Sequence, residues 1–262
     1  MGEREQYAPG SFCWTDLSSS DQPAAKEFYG ALFGWQAQDT SSERLGEGPH
    51  CSIMRLGGRD VAAISSQPVR RREAGARPMW NSYVTVESAD SSAERARELG
   101  ALVHAPPFDV ADAGRMAVIQ DPQGAFFELW EPRGHFGAAL VNAPGALVWN
   151  ELESPDPAAS AGFYGALFGW SAEPFPGMRD PYLSVKNGPA SAAGIRPLPS
   201  PGAVPAWLVY FGVAGIGTAL ARVRELGGSL LEGPTEIPVG TVAVVSDPQG
   251  AVFALYDGEL DP

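Results

Sequence analysis

The string Phe-Tyr-Gly-Ala-Leu-Phe-Gly-Trp runs from 28 to 35 and recurs letter for letter from 163 to 170. The offset is 163 − 28 = 135, about half of the 262 residues. Self-similarity at such a spacing reports tandem units and has to be read before anything else. The likeness extends upstream. Ser-Phe-Cys-Trp-Thr-Asp-Leu (11–17) leads to Asp21-Gln-Pro, and Ala-Leu-Val-Trp-Asn-Glu-Leu (146–152) leads to Asp156-Pro. Each is an apolar run of strand length meeting an N-cap Asp with Pro just inside, the start signal of a helix. Apolar residues at Ala25, Phe28, Tyr29, Leu32 and Phe33 form a helical stripe, and Gly34 and Gly169 stand where a helix ends.

A second repeat lies inside each half. Trp80-Asn-Ser-Tyr-Val-Thr-Val precedes a helix ending in Arg97-Glu-Leu-Gly. Trp207-Leu-Val-Tyr-Phe-Gly-Val precedes one ending in Arg224-Glu-Leu-Gly. Both then reach Asp-Pro-Gln-Gly-Ala, at 121–125 and 247–251, between apolar runs, which is a hairpin signal. The pattern predicts an α+β chain of four βαβββ modules, at 10–67, 79–131, 145–198 and 205–257. They pair into two domains, 10–131 and 145–257.

Hydrophobic content of 44% supports a core in each half. No run of 18 apolar residues predicts a membrane helix. The charged N-terminus carries no secretory signal, and Cys13 and Cys51 make no disulfide framework, so a cytoplasmic protein is expected. The net charge of −13 argues against nucleic acid and anionic membrane as partners. The arginines at 70–72 read as a solvated loop.

Four such modules, with Phe-Tyr-x-x-Leu-Phe-Gly-Trp in the first helix and Asp-Pro-x-Gly before the last strand, resemble the vicinal oxygen chelate superfamily. That superfamily includes glyoxalase I, the extradiol dioxygenases and the bleomycin-resistance proteins. The chain is most similar to its two-domain actinobacterial glyoxalase-like members. The resemblance implies that paired modules curl a mixed sheet into a U-shaped trough. It also implies that metal-dependent members place His, Gln or Glu on the first and last strands.

At those positions this chain carries Trp14, Asn81 and Glu128 in the first half, and Trp149, Leu208 and Ala254 in the second. Indole and alkyl groups cannot coordinate a metal. One carboxylate and one amide make a poor transition-metal site, so no metal and no cofactor are expected. His50, His104 and His135 are scattered in sequence and read as surface or structural imidazoles.

Strand alternation sends Trp14, Asp16, Asn81, Tyr83, Phe126, Glu128 and Trp130 into the first trough. It sends Trp149, Glu151, Glu153, Leu208, Tyr210 and Tyr256 into the second. Trp80 and Met116 complete the expected ligand-binding set, and Arg115 is expected at the rim. Aromatic walls with a few carboxylates suit a small, flat aromatic ligand, including one with a cationic amine. The expected function is metal-free binding of an aromatic natural product, for sequestration, self-resistance or support of biosynthesis. The alternative is a metal-independent isomerase, lyase or oxygenation helper with Glu128 as general base and Asp16 as its partner. A metal-dependent glyoxalase or dioxygenase ranks below both. The first trough is the favoured pocket. The chain is expected to be a monomer or a homodimer.

Overall fold

Capping chemistry starts the first helix of each half as the sequence predicts. The Asp21 carboxylate accepts from Ala24 N at 3.1 Å, Pro23 fills the first turn, and Gly34 closes the helix at φ 76°. Asp156, Pro157 and Gly169 repeat the arrangement, with φ 77° at the glycine. A side chain at such a φ is strained, so glycine ends both helices.

The computed structural model describes residues 2–40, 51–178 and 180–260. Its N-terminal half comprises β1 (Gly2–Glu3), β2 (Phe12–Ser19), α1 (Gln22–Phe33), β3 (Gln36–Asp39), β4 (Cys51–Leu56), β5 (Arg59–Ser66), α2 (Val69–Glu73), β6 (Met79–Thr85), α3 (Ala89–Glu98), β7 (Leu102–Val110), β8 (Gly114–Gln120) and β9 (Phe126–Pro132). A short β10 (Leu140–Val141) pairs with β1. The C-terminal half comprises β11 (Leu147–Ser154), α4 (Pro157–Phe168), β12 (Ser171–Pro174), β13 (Leu183–Asn187), β14 (Ala190–Pro197), β15 (Ala206–Gly212), α5 (Ile216–Glu225), β16 (Ser229–Ile237), β17 (Gly240–Ser246) and β18 (Val252–Gly258).

Two eight-stranded mixed sheets result, ordered β3-β4-β5-β2-β6-β9-β8-β7 and β12-β13-β14-β11-β15-β18-β17-β16. The two modules of each half join where their first strands run antiparallel, β2 to β6 and β11 to β15. Each first strand also runs parallel to the last strand of its own module. Among the described residues no helix is long and apolar enough to cross a membrane.

The repeated motifs meet each other across the halves. Tyr29 in α1 donates to Asp247 Oδ2 in the second half (3.2 Å) and accepts from Trp80 Nε1 (3.0 Å). Tyr164 in α4 donates to Asp121 Oδ2 in the first half (2.8 Å) and accepts from Trp207 Nε1 (2.9 Å). The other carboxylate oxygen of each aspartate accepts two backbone N–H groups of its own turn. So every polar atom of this buried latch is paired, as burial requires. Tyr29 stacks on Trp35, and Tyr164 on Trp170. Ser82 on β6 donates to Asn150 on β11 at 2.7 Å, tying the sheets back to back. The opposite faces form the two troughs.

Candidate functional site

The register defines the troughs pair by pair. In the first, Trp14 lies opposite Tyr83, Asp16 opposite Asn81, and Tyr83 opposite Glu128. In the second, Trp149 lies opposite Tyr210, Glu151 opposite Leu208, and Tyr210 opposite Ala254. Trp80 is a correction to the expected site. It neighbours Asn81 on β6, so its indole takes the other face, hydrogen-bonds Tyr29 and packs edge-on against Phe211. Arg115 is held by Asp90 and Asp109 in exposed ion pairs. Met116 sits opposite Trp130, and Phe126 packs on His104 with ring centroids 4.8 Å apart.

The first trough is lined by buried side chains. Trp14, Tyr83 and Trp130 are buried, and Asp16 and Glu128 are 9% and 4% exposed. His135, from the segment after β9, stands edge-on against Trp14 at 4.6 Å, and its carbonyl accepts from Trp130 Nε1 at 2.9 Å. Burial lowers the His135 pKa, against the opposing charge of Asp60, so a neutral ring is favoured there. Asp16 Oδ1 accepts from Asn81 Nδ2 at 2.9 Å and from Tyr83 Oη at 3.0 Å. Glu128 Oε2 is buried without a hydrogen-bond partner. Burial pushes the Glu128 carboxyl well above its ordinary range, and repulsion from Asp16 adds to the shift. Burial also raises Asp16, less sharply because Asn81, Tyr83 and Ser65 hydrogen-bond its charged form.

The second trough holds a cavity of about 1070 Å³. Its walls include Trp149, Glu151, Tyr182, Arg196, Tyr210 and Tyr256. Tyr210 Oη donates to Glu151 Oε1 at 2.8 Å, and Trp149 Nε1 donates to Tyr182 Oη at 3.0 Å. Arg196 Nε lies 2.9 Å from Glu151 Oε1, but its N–H is not aligned for a hydrogen bond. The contact is an ion pair. Arg196 Nη2 reaches Glu153 Oε1 at 2.5 Å. Burial raises Glu151, and Arg196 with the two tyrosine hydroxyls pulls it back. Burial disfavours the Arg196 charge, but Glu151 and Glu153 outweigh it and keep the guanidinium charged.

The structure therefore brings together Trp149, Glu151 and Tyr210, as alternation predicts, and places a cavity in the half that was not favoured. Sequence reasoning missed Tyr182 and Arg196. It sought carboxylates and imidazoles near 192–195 and stopped one residue short of the arginine. Gly194 was the available signal for Tyr182. A Cβ there would stand 1.8 Å from the Tyr182 hydroxyl, so only glycine admits the phenol.

The donor set does not fit a metal. Among the described residues no group of three or more His, Cys, Asp or Glu is placed to hold one. At the expected ligand positions the first and last strands offer indole, alkyl and amide groups beside a single carboxylate, Glu128. His104 is exposed and paired with Gln120, His135 packs on indole, and His50 lies outside the described residues.

Comparison with known proteins gives the chain its relatives. The family model described as the Glyoxalase/Bleomycin resistance protein/Dioxygenase superfamily matches residues 12–129. A glyoxalase-like domain model matches residues 149–256. A Mycobacterium tuberculosis protein provisionally named glyoxylase CFP32 is 40% identical over 259 residues, 97% of each chain. The anthracycline biosynthesis protein DauV of Streptomyces sp. is 34% identical over 265 residues, 96% of this chain and 94% of that one. The Mn(II)-bound glyoxalase of Novosphingobium aromaticivorans superposes with a TM-score of 0.66 at 17% identity, over 97% of this chain and 83% of that one. The 2,3-dioxygenase LapB of Pseudomonas sp. KL28 does so with 0.64 at 13% identity, over 98% and 96%. At that identity the two structures share the fold alone.

Proposed function

The chain belongs to the glyoxalase/bleomycin resistance protein/dioxygenase superfamily, and from that premise we propose that it binds a small, planar aromatic molecule in its C-terminal trough without a metal. The observation that carries this reading is the 1070 Å³ cavity walled by Trp149, Tyr182 and Tyr210. A volume of that size suits a drug-sized ligand, and aromatic rings contribute about 0.5–1.5 kcal/mol each beyond area burial when they stack. Trp149 occupies ground where metal-dependent relatives are expected to keep a ligand, with Tyr210 opposite it, so stacking replaces coordination. The anthracycline biosynthesis proteins among the relatives support an aromatic natural product as the ligand class, held for biosynthesis, sequestration or self-resistance.

Planar polycyclic aromatics, anthraquinones among them, should quench tryptophan fluorescence saturably at one molecule per chain. A panel in which no compound quenches above the inner-filter correction overturns the reading.

One observation favours a second reading. Glu128 has an orphaned oxygen, sits at raised pKa and shares its trough with Asp16. A carboxylate so placed suits general-base chemistry on a metal-independent substrate. Loss of turnover with retained binding in Glu128→Gln would favour that reading over pure binding.

A further inference from the structure

Counted from the same sheet edge, β14 is the third strand and β16 the eighth. At about 4.8 Å per strand step, a flat sheet would hold them about 24 Å apart. Yet Arg196 on β14 meets Glu232 on β16 through two contacts of 3.4 Å, Nη1 to Oε1 and Nη2 to Oε2. The ion pair spans the trough from one arm to the other, and both residues line the cavity. Glu232 stands between two breaks in the β16–β17 register, so the edge strand is bulged where this carboxylate turns inward. The register equivalents in the first half are Ser65 and Ala105, which cannot form such a pair.

The three carboxylates around Arg196 are not held alike. The side chains of Glu151 and Glu153 are 6% and 15% exposed and make the short contacts. Glu232 is 50% exposed and makes the long ones. Half-exposed pairs at such distances are weak and exchange readily. Three carboxylates against one guanidinium also leave this wall with excess negative charge. Asp180, Glu236 and Glu259 on the same lining outnumber its further cation, Arg4, among the described residues.

We infer that Arg196 and Glu232 form a clasp across the C-terminal trough that selects ligands bearing a protonated amine. The ammonium takes Glu232 from Arg196, while Arg196 stays on Glu151 and Glu153. The clasp opens as the ligand seats, and the displaced carboxylate becomes the ligand's counter-ion. This rests on the reading that the C-terminal trough holds a planar aromatic.

The test uses the whole chain and two probes of one ring system, 9-(aminomethyl)anthracene and 9-anthracenemethanol, titrated by fluorescence at pH 7. The amine should bind at least tenfold more tightly than the alcohol. In Glu232→Gln that ratio should fall below threefold, with alcohol affinity unchanged or improved. Binding of both probes with equal affinity to the unaltered protein overturns the clasp and leaves the binding reading standing. Absence of binding by both overturns the binding reading and the clasp's role in selection with it. A ligand-free measurement stands apart. Amide exchange over residues 229–237 should quicken at least threefold in Glu232→Gln relative to α3, and unchanged exchange shows that no clasp exists.

Discussion

In the C-terminal trough the buried Glu151 lies 2.9 Å from Arg196, whereas the equivalent register position in the N-terminal trough is Ser65, which offers Asp16 a hydroxyl and no charge. Glu128 adds a second buried acid there, at the position that Ala254 holds in the other half. One trough balances its acid with a cation and stays open. The other holds two buried acids beside buried Trp14 and Trp130, and the charge of Arg71 only partly offsets the burial of Glu128. Equal scaffolds thus carry different electrostatics, because register positions differ, among them Ser65 against Arg196, Ala105 against Glu232, Asn81 against Leu208 and Glu128 against Ala254.

The largest effect should come from removing the cation. Arg196→Met leaves Glu151 and Glu153 without a counter-charge, and we expect a loss of about 2–4 kcal/mol in denaturant unfolding. Ser65→Ala in the other trough should cost about 1 kcal/mol, the usual worth of one hydrogen bond. Comparable losses from the two substitutions would erase the contrast.

Next in size is the removal of surplus charge. Glu128 has its folded pKa raised by burial, so the folded state holds its proton more tightly than the unfolded chain does. Its contribution is fully present below the unfolded glutamate range, about pH 4, and declines as pH rises toward the folded value. Glu128→Gln keeps the shape and cannot ionise. We expect it to be more stable than the parent by about 1–2 kcal/mol at pH 8 and equal to it near pH 4. Stability curves that stay parallel from pH 4 to pH 9 would contradict the assignment of Glu128 as a strained acid.

The smallest effect concerns the aromatic walls. Trp149→Phe should weaken binding of a planar aromatic roughly two- to tenfold, the worth of one stacking contact. Trp14→Phe should leave affinity unchanged, because that indole is buried with His135 edge-on against it. A reversed order would move the ligand to the N-terminal trough.

What the sequence made legible was local. The Asp-Pro starts, the glycine stops and the alternation that sends Trp149, Glu151 and Tyr210 to one face depend on residues a few places apart. Illegible were contacts between distant segments. His135 reaches Trp14 from beyond the last strand of its half, and Glu232 reaches Arg196 from across the curl of a sheet. Trp80 was misplaced. Alternation with Asn81 on β6 already marked its face, but its partner Tyr29, which binds the other half, was not readable there. The octamer and the Asp-Pro-Gln-Gly turn were read as separate helix and hairpin signals, although each copy docks on the other's turn.

That crossed docking divides labour along single strands. On β6, Trp80 and Ser82 fasten the halves together, while Asn81 and Tyr83, one step along, furnish the trough. Assembly and chemistry are interleaved at odd and even places, so either set can be rewritten without editing the other. A designer seeking a new ligand specificity can vary the inward places and leave the fastening letters alone.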